Sequence, residues 1–80
     1  MSGTQAAGWP DIFAVRGTRA LAIELKSERG TLTDEQNAWL VSLDRAGIES
    51  FVWRPIHWTD GTIERILRSA QKDTMKRNRA

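Results

Sequence analysis

Two apolar segments separated by the pair Gly17-Thr18 constrain the fold of this chain more than any other feature of its sequence. Residues 11–16 and 19–27 have the apolar and β-branched character of strands. Glycine in the first of two loop positions fits a type II′ turn, because glycine adopts positive φ without steric cost. The sequence therefore predicts an antiparallel hairpin, whose register a bulge or a longer loop would shift.

The expected register of this hairpin brings three charged side chains together. If Arg16 faces Arg19, Asp11 lies directly opposite Glu24, with Cβ atoms roughly 4.5–5.5 Å apart. Lys26 is two residues beyond Glu24 and shares its face, because side chains alternate along a strand. Facing carboxylates repel each other, but a hard cation such as Mg²⁺ binds them as oxygen ligands. The alternative is a surface ion pair between Glu24 and Lys26, with Asp11 only opening a strand.

The remaining hairpin residues are apolar, so we expect both faces of the hairpin to be covered by other elements. These residues are Ile12, Phe13, Ala14, Val15, Leu21, Ala22, Ile23 and Leu25. Coverage of both faces would raise the cost of placing two acids side by side, and would make a neutralising cation more necessary.

Beyond the hairpin, the sequence predicts a helix, a strand and a second helix. Residues 33–36 match a capping box, and the helix that follows should span residues 34–46 and stop at Gly47. Residues 48–54 form a strand, which the intervening helix places parallel to the second strand of the hairpin. Thr59 or Asp60 can cap a last helix with apolar residues at helical spacing, namely Ile63, Ile66, Leu67 and Ala70.

Composition limits the class of protein. The 80 residues make one small domain without cysteine, which excludes disulfides and thiolate metal sites and fits an intracellular, cytoplasmic protein. We find no signal peptide and no apolar segment of membrane-spanning length. The net charge is +2, but five basic residues and one acid lie between residues 68 and 80. This segment suits a nucleic acid, or it is simply a solvated tail.

Glutamine, histidine and tryptophan each have a functional and a structural interpretation. Gln36 shares the inward-facing stripe of its helix with Trp39. In the structural interpretation, its amide only closes the capping box. In the functional interpretation, it also reaches an active site, where it would hold Lys26, a water or a phosphate. His57 is the only histidine and has no evident carboxylate partner, which favours a structural role. The tryptophans could stack on unpaired bases, but filling the core or an interface is the ordinary role for Trp9, Trp39, Trp53 and Trp58.

The spacing of these motifs resembles the VRR-NUC domain of the PD-(D/E)xK nuclease superfamily, which is similar to Holliday-junction resolvases. The resemblance covers residues 8–55, and its matching residues are Gly8, Pro10, Asp11, Glu24, Lys26, Gln36, Gly47 and Trp53-Arg54-Pro55. It implies a restriction-endonuclease-like core, here an α/β fold with a small mixed sheet, and a nuclease domain over residues 8–71. Residues 1–7 would be a disordered N-terminus and residues 72–80 a basic C-terminal tail.

The resemblance also implies a mechanism, which is phosphodiester hydrolysis assisted by Mg²⁺ or Mn²⁺. Asp11, Glu24 and the backbone carbonyl of Leu25 would bind the metal, and Lys26 would orient the attacking water and stabilise developing charge. The catalytic residues would be Asp11, Glu24, Lys26 and Gln36. Arg16, Arg19, Arg29 and Arg54 could contact flanking phosphates.

One departure from the family concerns the N-terminus. These nucleases usually begin with a helix that contributes an acidic residue, followed by a further strand, whereas the seven residues before Gly8 contain no acid. That helix is lost, belongs to a second chain or an upstream segment, or this copy is impaired. The absence of this helix and of the further strand would leave a sheet edge and apolar surface open, so we expect a homodimer or a higher oligomer.

Two functional hypotheses follow. The first is a metal-dependent DNA endonuclease that prefers branched or junction DNA, by analogy with the resolvases. The second is a non-catalytic nucleic-acid-binding module on a degenerate nuclease fold. The intact Asp11, Glu24 and Lys26 favour the first, and the missing acidic helix favours the second.

Overall fold

A computed structural model describes residues 6–69. Its elements are, in chain order, β1 (Ile12–Arg16), β2 (Arg19–Leu25), α1 (Asp34–Arg45), β3 (Glu49–Trp53), α2 (Pro55–Thr59) and α3 (Thr62–Arg68). The strands form one mixed sheet in the order β1-β2-β3, in which β1 is antiparallel and β3 parallel to β2. The predicted α/β fold with a hairpin, a crossover helix, a parallel strand and a C-terminal helix is confirmed, and it is compatible with a restriction-endonuclease-like core.

The hairpin has the predicted register. Arg16 pairs with Arg19 at one end of the ladder, and Ile12 pairs with Ile23 at the other. Gly17, the first of the two loop residues, has a φ of 60°, whereas Thr18, the second, does not have a positive φ. This combination is the one that a type II′ turn requires.

Helix α1 begins at the predicted capping box. The Gln36 backbone N–H donates to Thr33 Oγ1, and the Thr33 N–H donates to Gln36 Oε1. The helix ends at Arg45 with Ala46 as its cap, one residue before the predicted end. Gly47, with a φ of 94°, then turns the chain toward β3.

The segment after β3 forms the expected last helix, α3, and before it a short helix, α2, that we did not expect. Pro55 begins α2 one residue after the strand, with Arg54 as the N-cap, because proline is compatible with the first position of a helix. Gly61, with a φ of 85°, separates α2 from α3, and Asp60 Oδ1 accepts a hydrogen bond from the Thr62 N–H. Ala70, expected in the last helix, lies outside the described residues.

The sheet carries helices on both faces. Leu21 and Ile23 lie on one face of β2, where they pack with Trp53 and with Ile63 of α3. Ala22 and Glu24 alternate with them and lie on the opposite face, which α1 covers with its buried Leu40 and with Gln36. The site residues on β2 therefore lie beneath the first turn of α1.

Two arginines connect the hairpin to the end of the chain. Arg19 is buried and donates two hydrogen bonds to the buried Glu49, which joins the first residues of β2 and β3. Arg16 and Arg19 also donate to the Leu67 carbonyl near the end of α3, at 3.1 Å and 3.4 Å. These bonds hold α3 against the sheet.

Strand β1 is less covered than the sequence suggested. All five of its residues are exposed, whereas residues 21–24 of β2 are buried. The expectation that both faces of the hairpin are covered is therefore wrong for β1, because α3 and α1 pack mainly over β2 and β3.

Both ends of the chain lie outside the described residues. Residues 1–5 and 70–80 belong to these ends, so the predicted disordered N-terminus and the basic tail stay predictions. Within residues 6–69, no helix has the length and apolar composition needed to cross a bilayer.

Candidate active site

Asp11 and Glu24 are neighbours at the open end of the hairpin. Asp11 comes directly before β1, and its Oδ2 accepts a hydrogen bond of 2.9 Å from the Leu25 N–H on β2. Continuing the register of the ladder by one position places Asp11 beside Glu24. The two acids that the sequence placed opposite each other are thus brought together.

Glu24 is the most constrained side chain of the site. It is only 3 % exposed, and its Oε2 accepts a hydrogen bond of 2.8 Å from Gln36 Nε2. Its Oε1 is buried and has no hydrogen-bond partner among the described residues. Burial, and then the negative charge of Asp11, raise the pKa of Glu24 above its ordinary value, while Lys26 partly offsets this.

Gln36 closes the capping box and also contacts a second candidate site residue. Its Oε1 and backbone N–H complete the capping box with Thr33, and its Nε2 holds Glu24. From the sequence we expected this amide to hold Lys26, a water or a phosphate, whereas its described partner is the carboxylate. The first turn of α1 and the position of Glu24 are therefore linked by one side chain.

Lys26 and Leu25 extend β2 at the edge of this site. The Lys26 N–H donates to the Trp53 carbonyl at 3.0 Å and so continues the parallel ladder with β3. This places Lys26 on the face of Glu24 and leaves the Leu25 side chain, which is exposed, on the opposite face.

The loop that leads to Asp11 packs closely against α1. Gly8 has a φ of 84°, and a Cβ added there would lie 2.5 Å from the Glu35 carbonyl carbon and 2.7 Å from the Gln36 nitrogen. Trp39 Nε1 donates to the Ala7 carbonyl at 3.0 Å. Only glycine fits where the loop backbone comes so close to the backbone of α1. This close packing is the physical reason for the glycine three residues before Asp11.

Arg54 positions the loop that follows Lys26, a role that the sequence did not reveal. Its Nη1 donates to the carbonyls of Ser27 and Gly30, each at 2.6 Å. Its own backbone N–H donates to His57 Nδ1 at 2.9 Å, which gives His57 the structural role expected of it. No local sequence signal identifies such contacts, because the carbonyl partners lie far away along the chain.

The four arginines considered for phosphate contacts differ in their availability. Arg19 is buried against Glu49, Arg16 donates to the Leu67 carbonyl, and Arg54 donates to loop carbonyls. Arg29 is exposed, in the loop after Lys26. Of the four, Arg29 is therefore the best placed for a phosphate.

Two of the tryptophans pack beside the site. The Trp9 ring stacks on Phe13 with a centroid distance of 5.8 Å and meets the edge of Trp39 at 4.9 Å. Trp53 belongs to the core, as expected. Trp58 is 65 % exposed and is not part of the core, so a role in an interface stays a prediction for this residue.

The donor set of the site consists of two carboxylates. The described residues contain no group of three or more histidine, cysteine, aspartate or glutamate side chains that could hold a metal ion. Any ion bound by Asp11 and Glu24 would need backbone, water or phosphate oxygens as its other ligands, which is an arrangement that Mg²⁺ accepts.

Comparison with known proteins identifies the family of this chain. A family model of the VRR-NUC domain matches residues 2–55, which is more than half of the 80 residues. Searches of curated proteins and of solved structures returned no match. The matched region contains both carboxylates, Lys26, Gln36 and the Gly8 loop.

Proposed function

Because this chain belongs to the VRR-NUC domain family, a family of nucleases, we propose that it is a metal-dependent DNA endonuclease. The observation that carries this proposal is the environment of Glu24. A buried carboxylate oxygen without a partner, next to a second carboxylate, is costly unless a cation compensates it.

Mg²⁺ or Mn²⁺ fits the residues that are present. Both ions prefer oxygen ligands, and the free Oε1 of Glu24 offers one beside Asp11. The carbonyl of Leu25 is the third ligand that the family resemblance implies. When bound, the ion would polarise a phosphate oxygen and lower the pKa of a water molecule.

The residues of the chain then have distinct roles. Lys26, whose charge acts on Glu24, would orient the attacking water and stabilise negative charge on the phosphate in the transition state. Gln36 would keep Glu24 in its orientation, and Gly8 would keep Asp11 beside it. These roles assign Asp11, Glu24, Lys26 and Gln36 to the catalytic site.

The proposed substrate is DNA, with branched or junction DNA preferred. The exposed Arg29, three residues after Lys26, and the basic residues after residue 70 supply positive charge for phosphate contacts. We further propose that the protein acts as a homodimer in the cytoplasm, associated with the nucleoid if it is bacterial or from a phage.

Cleavage of branched and linear DNA in Mg²⁺ or Mn²⁺ tests the proposal. We expect nicks that disappear in Asp11→Ala and in Lys26→Ala. Asp44→Asn, which removes an exposed acid from α1, is the control and should cut normally. Equal cutting by all variants would contradict the assignment of the site, and equal cutting of both DNAs would contradict the preference for branches.

The second candidate is a nucleic-acid-binding module that does not cleave. It is favoured by the presence of only two acids at the site among the described residues. Such a module would bind DNA with a linear dependence of log affinity on log salt and would leave the DNA intact in every divalent metal.

A further inference from the structure

The turn that follows Lys26 is held to the sheet by a side chain from another strand. Residues 27–30 form this turn, in which the Gly30 N–H donates to the Ser27 carbonyl at 3.3 Å. Arg54, the residue after β3, adds two bonds of 2.6 Å from its Nη1 to the carbonyls of Ser27 and Gly30. Among the described residues, the turn has no other hydrogen bond shorter than 3.3 Å, so Arg54 is its principal anchor.

The same turn packs on the side chain of Lys26. A Cβ built at Gly30 would lie 3.6 Å from Lys26 Cδ, so the Gly30 backbone lies beside the methylene chain of the lysine. A lysine side chain has several rotatable bonds, and contacts that exclude some rotamers are what fix its ammonium group. The direction of this ammonium group, whose charge acts on Glu24, therefore depends on the turn as well as on the strand.

Arg54 is itself fixed from two sides. The preceding residue, Trp53, belongs to the core, and the Arg54 N–H donates to His57 Nδ1 at the start of α2. Its side chain is half-buried and has no carboxylate partner among the described residues. Hydrogen bonds from a charged donor are stronger than neutral ones, so the two carbonyl bonds connect the core firmly to the turn.

We propose that Arg54 is a positioning residue for the nuclease reaction and acts on the phosphate only through Lys26. Its two bonds fix the turn, and the turn keeps the Lys26 ammonium where it can meet the attacking water and the phosphate. This proposal rests on the role of Lys26 in the proposed function. It adds to that site a residue from the C-terminal end of β3.

A direct phosphate contact is the alternative role for this cation. The two carbonyls occupy both hydrogens of Arg54 Nη1, whereas Arg29 is exposed in the same turn. We therefore assign phosphate contact to Arg29 and positioning to Arg54. The two roles have different consequences. Loss of a phosphate contact weakens DNA binding and its salt dependence, whereas loss of a positioning contact slows the cleavage of DNA that is already bound.

Cleavage in Mn²⁺ at saturating DNA separates the two roles. Arg54→Met removes the guanidinium and keeps an apolar side chain, and we expect it to slow the cleavage of bound DNA by about 10- to 100-fold. Without divalent ions, its DNA affinity and salt slope should match those of the wild-type protein. Arg45→Met, which removes an exposed arginine from α1, is the matched control and should cut at the wild-type rate. A wild-type rate in Arg54→Met, or a salt slope reduced by about 0.9, would overturn the proposal.

Two further variants separate loss of the contacts from loss of stability. The ammonium of Arg54→Lys is one bond shorter than the guanidinium but can donate to both carbonyls, so this variant should recover part of the rate. Asp60→Ala loses the hydrogen bond from the Thr62 N–H in the neighbouring segment. It should be less stable than the wild-type protein and still cleave bound DNA at the wild-type rate. Slow cleavage by folded Asp60→Ala would mean that destabilisation alone slows the reaction, and would overturn the proposal.

The NMR signals of lysine give a readout that needs no cleavage. Lysine occurs only at positions 26, 72 and 76, so isotope-labelled lysine gives three sets of side-chain signals. Lys26→Arg identifies the set that belongs to Lys26. We expect its two ε-methylene protons to have separate shifts in the wild-type protein and in Arg45→Met, and coincident shifts in Arg54→Met. Unchanged Lys26 signals in Arg54→Met would overturn the proposal. The expected NMR change in a protein that cuts no DNA would support the positioning of Lys26 by Arg54 and contradict the nuclease function instead.

Discussion

Replacing Gln36 by alanine should affect both the stability of the fold and the candidate metal site. The substitution removes the hydrogen bond to Glu24 and the bond from the Thr33 N–H. A hydrogen bond to a charged group contributes about 1.5–3 kcal/mol, and a capping bond contributes about 1 kcal/mol. We therefore expect Gln36→Ala to lower the free energy of unfolding by about 2.5–4 kcal/mol, a large fraction of the ~5–15 kcal/mol of a typical domain.

The matched control is Thr33→Ala, which removes the other half of the capping box and leaves Glu24 untouched. It should cost about 1 kcal/mol. Urea unfolding at neutral pH without divalent ions measures both variants, and their difference reports the bond to Glu24. Gln36→Glu adds a further check. Its side chain can still accept a hydrogen bond from the Thr33 N–H, but it brings another carboxylate, besides Asp11, against Glu24. It should be the least stable variant at neutral pH and should recover as the pH falls.

The same three variants separate a structural role of Gln36 from a functional one. If Gln36 orients Glu24 for a metal, Mn²⁺ should raise the free energy of unfolding of Gln36→Ala by less than it raises that of the wild-type protein. Thr33→Ala should retain that stabilisation. Equal unfolding free energies and equal responses to Mn²⁺ in Gln36→Ala and Thr33→Ala would refute the reasoning and reduce Gln36 to a helix cap.

Two further predictions concern Glu24 and Gly8. Burial and Asp11 raise the pKa of Glu24, so the contribution of Glu24 to the stability of the metal-free protein should fall as the pH rises from 4.5 through the raised value. Glu24→Gln should remove this slope, stabilise the metal-free protein at neutral pH and abolish stabilisation by Mn²⁺; an unchanged slope in urea titrations would contradict this. Gly8→Ala should cost more than Gly47→Ala in the same assay, because both have positive φ but only Gly8 has α1 backbone within 3 Å of the new Cβ. Equal costs would mean that the loop moves away from α1 freely.

The sequence predicted the parts of the site that depend on local geometry. The Gly17 turn determines the hairpin register, and that register determines that Asp11 lies beside Glu24. The capping box of Thr33 and Gln36 was equally local. Such features depend on a few consecutive residues, so their physical causes are present in the sequence itself.

The parts that could not be predicted depend on how the elements pack. The reach of Gln36 to Glu24 depends on where α1 crosses the sheet, which the helix sequence does not specify. The carbonyl contacts of Arg54 and the exposure of Trp58 depend on the placement of α2. The exposure of β1 depends on which strands the helices cover, and its apolar composition suggested the opposite.

The last helix has a consequence for how much of this chain can fold by itself. The family match ends at residue 55, but Ile63 and Ile66 of α3 complete the packing on Leu21, Ile23 and Trp53. A chain shortened to the matched segment would expose these side chains to water and would leave the hairpin arginines without the Leu67 carbonyl. The smallest autonomous folding unit therefore extends at least through α3, and a truncated version of the protein should keep every residue up to 68.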